Sequence, residues 1–285
     1  MMDFKTTIDV AALTTLIGRP AVAVLDCRFD LAAPAAGRQA YLRQHIPTAR
    51  YADLNRDLSG PPSASSGRHP LPQPERIGAR LAELGVGDAS QVIAYDDANG
   101  AIAARAWWLL RWLGHERVAV LDGGFKAWVA AGGALESGEP AGPPPASAFT
   151  PRVEPSAVVS TAELIEALES AQHLLVDARA AERFTGAVEP LDPVAGHVPG
   201  AVNHPFSANL NSDGRFLPPA QLKRLWLERL AGTPPAEVVA MCGSGVTACH
   251  NLLALEMAGL KGARLYAGSW SEWIRDPKRP VARGK

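Results

Sequence analysis

Apolar residues along the chain fall into short runs separated by stretches of helical spacing, and this alternation occurs twice. In the first half, 21–25, 91–95 and 118–121 read as buried strands, and 8–13 as a strand end or cap leading into a short helix. Between them, 74–84 has helical spacing stopped by Gly85-Val86-Gly87, and 101–113 is a strongly apolar helix carrying Trp107, Trp108 and Trp112. Asp122-Gly123-Gly124-Phe125 predicts a turn into a helix that runs through Trp128. The Ser/Pro/Gly-rich stretch 59–74 predicts an excursion over the surface.

From 133 to 155 the sequence is mostly Gly, Pro, Ala and Ser, including Pro143-Pro144-Pro145, and predicts a semi-stiff linker. The pattern then restarts. Ser160-Thr161-Ala162-Glu163 is a capping-box sequence opening a helix to Ser170. Leu174-Leu175-Val176-Asp177-Ala178-Arg179 repeats the strand and Asp-x-Arg that end at Asp26-Cys27-Arg28. His197-Val198-Pro199 repeats His45-Ile46-Pro47, 238–241 repeats 92–95, and 266–273 repeats 121–128. Landmarks recurring in one order at nearly equal spacing imply duplication. Strands alternating with helices predict α/β units with a mostly parallel sheet in each. The expected division is 1–132, a linker over 133–155, and 156–285.

One segment carries distinctive chemistry. Val238-Val239-Ala240-Met241 predicts a strand, Cys242 follows at its carboxyl end, and Gly243-Ser244-Gly245-Val246-Thr247-Ala248 predicts a loop entering a helix over 249–257, stopped by Gly259. Loop and first-turn N–H groups lack partners within the helix, so they favour an anion at their focus. A thiolate at Cys242 would be stabilised there. Superposing the two halves puts Asp96 where Cys242 stands, so the first half lacks the nucleophile.

Composition narrows the classes of function. The chain has 285 residues, 47% hydrophobic, with a formal charge of −1. That describes a soluble globular protein with no basic excess for nucleic acid and no apolar run of membrane-spanning length. Three cysteines, Cys27, Cys242 and Cys249, form neither a disulfide framework nor a CxxC metal site. The amino terminus lacks a secretion-signal pattern, and a reducing cytoplasm is the expected compartment. Cys27 and Cys249 read as packing residues, and the seven tryptophans as core.

Cys242-Gly243-Ser244-Gly245-Val246-Thr247-Ala248 resembles the active-site loop of the mercaptopyruvate branch of the rhodanese family, and the similarity extends over almost the whole chain. It implies two tandem rhodanese-like domains, the first inert and forming one wall of a cleft. It implies a sulfurtransferase in which Cys242 is the nucleophile and 243–248 bind the sulfur or the departing anion. The matching Ser244 is implied to act in a proton relay. His69, in Gly67-Arg68-His69-Pro70-Leu71-Pro72, fits the branch's His-x-Leu-Pro motif and is implied to face Cys242 across the cleft. The family's aspartate falls on Asn55, with Asp53 and Asp57 as alternatives. Arg183 matches the arginine that holds the donor's carboxylate or sulfonate. A second substrate arginine found in the branch has no counterpart in 186–193. His45 and His197, present in both halves, read as structural, as do Arg28 and Arg179.

A cysteine-dependent phosphatase or arsenate reductase would need an arginine six residues after the cysteine, and position 248 is Ala248. Retention of Cys242, Ser244, His69 and Arg183 argues against an inert binding module, leaving a sulfur carrier as the alternative outside catalysis. The thiosulfate branch places cations at the two positions after the cysteine, whereas Gly243 and Ser244 stand here, so mercaptopyruvate is the favoured donor and thiosulfate the alternative. The expected acceptor is a thiol, a dithiol protein such as a thioredoxin, or cyanide. No metal or organic cofactor is expected.

Overall fold

The computed structural model describes residues 3–140, 148–170 and 173–284. The central part of the expected linker, 141–147, lies outside them. The described residues form two compact units that interleave along the chain: Met1–Gly60, Leu71–Glu154 and Asp213–Arg215 in one, Pro61–Pro70, Pro155–Ser212 and Phe216–Lys285 in the other. The segment 61–70, which the linear order puts in the first half, thus packs with the second unit. The described flanks of the linker are held on the first unit, where Glu136 pairs with His45 and Arg152 N–H donates to the Leu113 carbonyl.

In the first unit, β1 (Thr7–Ile8), β2 (Val22–Asp26), β3 (Arg50–Tyr51), β4 (Gln91–Tyr95) and β5 (Val118–Leu121) form a sheet of order β1-β5-β4-β2-β3, with every pairing parallel. Its helices are α1 (Val10–Leu16), α2 (Ala35–Arg43), α3 (Pro74–Glu83), α4 (Ala103–Trp112) and α5 (Gly124–Ala130). The central strand β4 is buried at all five positions, as expected of a parallel strand covered on both faces.

The second unit repeats the plan. β6 (Leu174–Asp177), β7 (Val202–Asn203), β8 (Val238–Met241) and β9 (Arg264–Leu265) form a parallel sheet of order β7-β6-β8-β9. A bridge from Val158 to Leu265 takes the edge position that β1 holds in the first sheet. The helices are α6 (Thr161–Glu169), α7 (Ala181–Thr185), α8 (Pro219–Leu230), α9 (Ala248–Met257) and α10 (Ser269–Trp273). The capping box on α6 is present, with Ser160 and Glu163 bonded in both directions.

Three helices were not predicted from the sequence. Only Gly37 and Tyr41 of α2 are buried, so it has no apolar stripe to reveal it; a side chain at Gly37 would collide with the Arg28 carbonyl. The five-residue α7 is too short to show a period. In α8 the buried residues are Leu222, Trp226 and Leu230, a narrow four-residue spacing among charged neighbours.

A buried polar network supports α9 from below. Asn209 accepts from His204 Nε2 at 3.0 Å and from Trp226 Nε1 at 3.0 Å, and it donates to Asn251 Oδ1 at 2.8 Å. Asn251 Nδ2 donates in turn to the His204 carbonyl. Burial pushes the His204 imidazole down to about 4, against the hydrogen bond with Asn209. These bonds tie the chain after β7 and α8 to the helix that the Cys242 loop enters.

Candidate active site

Cys242 follows β8 and is buried, with both backbone polar groups fixed by the opening turn of α10. Its N–H donates to Ser269 Oγ at 3.0 Å, and its carbonyl accepts from Trp270 N–H at 3.0 Å. The Gly243 carbonyl accepts from Ser271 N–H at 2.9 Å. Gly245 has φ 77°, and an added Cβ would lie 2.4 Å from the Ala267 carbonyl oxygen, so only glycine fits that bend. Val246 is buried behind the loop, and Thr247 precedes the first residue of α9. Cys249 is fully buried beneath, its Sγ 3.3 Å from the Gly245 carbonyl, and Cys27 is buried in the first unit.

The first unit shows what such a loop does with an anion. The Asp96 carboxylate accepts from the N–H groups of Ala98, Gly100, Ile102 and Ala103, at 2.8–2.9 Å. Burial raises this carboxyl above its ordinary value, and the four amides oppose the rise. Counted from Asp96 and from Cys242, the same four positions in the second unit are Ser244, Val246, Ala248 and Cys249. The left-handed backbone matches as well: Asn99 (φ 60°) corresponds to Gly245 (φ 77°), and Gly124 (φ 57°) to Ser269 (φ 54°). In the first copy the loop is an anion cradle filled by a carboxylate; in the second a cysteine heads the same loop, and the Cys249 N–H donates to the Val246 carbonyl at 3.1 Å.

His69 and Ser244 are brought together. Nδ1 of the buried His69 lies 2.7 Å from Ser244 Oγ. The segment carrying His69 is docked on α10: Gly67 N–H donates to Glu272, Arg68 N–H donates to Ser271 Oγ at 3.0 Å, and Arg275 Nε donates to the Ser66 carbonyl. A Cβ on Gly67 would lie 2.5 Å from the Gly268 carbonyl oxygen, so the backbones meet at a glycine.

Arg183, on α7, is held by two carboxylates. Glu189 Oε1 accepts from its Nη2 at 2.8 Å and Asp192 Oδ2 at 3.1 Å. The other Asp192 oxygen bonds Arg68 Nη1, so Asp192 joins two guanidinium groups. Burial pushes the Glu189 carboxyl up, but the Arg183 bond and the amides of Leu191 and Asp192 outweigh it and leave it below the ordinary value. An added Cβ at Gly243 would lie 3.2 Å from Arg68 Nη2 and 3.5 Å from both terminal nitrogens of Arg183. The loop that carries no cation of its own is therefore covered by two.

Both alternatives for the relay acid are engaged within the first unit. Asp57 accepts from Arg80 Nε at 2.9 Å, from Arg56 Nε at 3.0 Å and from Asp53 N–H at 2.8 Å. Asp53 accepts from the N–H groups of Asn55 and Arg56. The duplicated Asp-x-Arg forms buried forked pairs, Asp26–Arg28 and Asp177–Arg179, each arginine also reaching a backbone carbonyl. His45 and His197 stack on Tyr41 and Phe184 and bond the carbonyls of those same residues through Nδ1.

Arg68, Glu189, Asp192 and Ser269 were not singled out from the sequence. For Ser269 a signal existed, because it stands where the duplicated turn has Gly124. For Arg68 the only hint was its place beside His69.

The family model for the rhodanese-like domain matches residues 9–131 and 160–276. A relative from Pseudomonas aeruginosa named probable 3-mercaptopyruvate sulfurtransferase is 53% identical over 95% of this chain and 96% of its own length. A putative thiosulfate sulfurtransferase from Mycobacterium tuberculosis is 40% identical over 92% of this chain and 91% of its own. Among solved structures, that of SseA from Escherichia coli, described as a 3-mercaptopyruvate sulfotransferase of the rhodanese fold, is 33% identical. It superposes with a TM-score of 0.81 over 94% of this chain and all of its own. The chain belongs to the rhodanese family, as a protein of two tandem rhodanese domains. It is an enzyme of the sulfurtransferase class. Among the described residues no helix is long and apolar enough to cross a membrane.

Proposed function

We propose that the enzyme moves a sulfane sulfur from 3-mercaptopyruvate, through a persulfide on Cys242, to a thiol, a dithiol protein or cyanide. The observation that carries this reading is the 2.7 Å contact between His69 and Ser244, two residues along the loop from Cys242. A donor whose leaving group departs as a carbanion needs a proton delivered, and a histidine bonded to a serine hydroxyl can deliver one. Thiosulfate, whose leaving group is a stable anion, needs none.

The steps balance without an added oxidant or reductant. The Cys242 thiolate attacks the donor sulfur, the carbon–sulfur bond breaks, and the bonding pair leaves on the pyruvate enolate. Ser244 passes a proton to that carbon and recovers one from His69. The persulfide's outer sulfur is then taken by the acceptor's nucleophile, which returns Cys242 to its thiolate. Of the four positions that match those around Asp96, the N–H groups of Ser244, Val246 and Ala248 would stabilise the anionic sulfur, that of Cys249 donating to the Val246 carbonyl. The charges around Gly243 favour a singly charged donor, because Arg68 and Arg183 are balanced by Glu189 and Asp192. The name borne by the Pseudomonas aeruginosa relative agrees with this choice.

The test is mass spectrometry of the enzyme mixed with each donor in the absence of an acceptor. With 3-mercaptopyruvate, one added sulfur atom on the peptide containing Cys242, removed by cyanide and absent in Cys242→Ser, is the expected result. An unmodified Cys242 with turnover intact would refute the persulfide route.

A further inference from the structure

We infer that Arg68 is a donor-binding residue of this site, pairing with Arg183 to hold the carboxylate of the sulfur donor. The inference rests on the proposed function, and it assigns a residue outside the sequence motifs that pointed to the site.

Position is the first ground. The segment 61–70 is pinned to the catalytic unit through the backbone of Gly67 and Arg68, with Glu272 and Ser271 as acceptors. Arg68 therefore starts from a fixed point. Its side chain ends over Gly243, with Nη2 3.2 Å from where a Cβ would lie and Arg183 at 3.5 Å from the same point. Two guanidinium groups thus converge on the residue next to Cys242. They come this near because Gly243 has no side chain: a Cβ there would press on Arg68 Nη2.

Preparation of the pair is the second ground. Asp192 is buried and uses one oxygen for each arginine, while Glu189 takes the Nε and Nη2 edge of Arg183. Planar forks held from behind by carboxylates keep N–H groups in fixed directions, at little further entropy cost when an anion arrives. Among the described residues the buried Nε of Arg68 has no hydrogen-bond partner, so the protein does not satisfy every donor of this guanidinium.

Register is the third. Arg68 meets Gly243 and His69 meets Ser244, so two consecutive residues of one segment face two consecutive residues of the loop. Mercaptopyruvate has its carboxylate at one end and its departing carbon at the other. Neighbouring residues would then serve the two ends, one by charge and one by proton transfer.

Steady-state transfer to cyanide by the full-length enzyme tests this, with Arg68→Met and Arg68→Lys beside the wild type. Loss of one charge-assisted contact predicts a KM for 3-mercaptopyruvate raised about tenfold to a hundredfold in Arg68→Met, with partial recovery in Arg68→Lys. The kcat and its pH profile should stay within about twofold, because the contact holds the donor equally before and during reaction. Protection of Cys242 from alkylation by pyruvate should weaken in parallel, a readout independent of turnover. An unchanged KM, or a fall in kcat with a displaced pH profile, would overturn the assignment and make Arg68 a support for His69. The wild type decides the underlying reading separately: no turnover of 3-mercaptopyruvate there would remove both.

Discussion

Nδ1 of His69 lies 2.7 Å from Ser244 Oγ across 175 residues of sequence, and both side chains are buried in the catalytic unit. The contact forms because 61–70 leaves the first half of the sequence and docks on α10, bringing the histidine to the loop. If this pair delivers the proton to the leaving carbon, Ser244→Ala and His69→Asn should each lower kcat with 3-mercaptopyruvate by about 10²- to 10⁴-fold. The double variant should be little worse than either single one, since the two act as a unit. Transfer from thiosulfate should fall much less. Equal losses with both donors would assign the pair to loop structure, not to proton transfer.

Ser269 has φ 54° and accepts the Cys242 N–H, whereas its counterpart in the first unit is Gly124 at φ 57°. Ser269→Gly relieves the strained backbone but loses the acceptor; Ser269→Ala keeps the strain and loses the acceptor. Chemical denaturation should show Ser269→Ala less stable than wild type by about 1–3 kcal/mol, and Ser269→Gly less affected. Equal destabilisation would mean that strain at this position has no measurable cost.

Asp96 fills the inert copy of the anion cradle, accepting four backbone N–H groups. Asp96→Ala leaves those donors buried without an acceptor, and it should destabilise the protein by about 3 kcal/mol or more. Thermal unfolding measures this directly. A variant as stable as the wild type would show that the loop does not need its anion.

The His204 imidazole is pushed down to about 4 by burial, while an unfolded chain titrates near the ordinary value of 6.5. Between these values the unfolded state binds the proton that the folded state refuses. Stability from this group is therefore complete above about pH 6.5 and is lost as pH falls toward 4. His204→Gln, which retains an N–H for Asn209, should flatten the acid limb of a stability-against-pH curve over that window. An unchanged slope would move the acid sensitivity to other groups.

Much of the site was readable because chemistry and chain order coincide. The run from Val238 to Ala248 announces strand, nucleophile and loop in sequence, and the duplication identifies the copy that lacks the cysteine. His69 was readable only through its motif, since a loop histidine carries no local sign of its partner. Arg68, Glu189 and Asp192 were hidden for a physical reason: each is an ordinary charged residue until folding brings it against Gly243 or Arg183. Ser269 illustrates a different limit. The repeat located it, but its left-handed backbone and its bond to Cys242 exist only once α10 is packed behind the loop. Helix α8 escaped because its apolar stripe is one residue wide.

The donor and the nucleophile are tested together by steady-state sulfur transfer to cyanide, run with 3-mercaptopyruvate and with thiosulfate on wild type and Cys242→Ser. The expected result is a higher kcat/KM for 3-mercaptopyruvate, with activity abolished for either donor in Cys242→Ser. A higher kcat/KM for thiosulfate, or activity that survives Cys242→Ser, would contradict it.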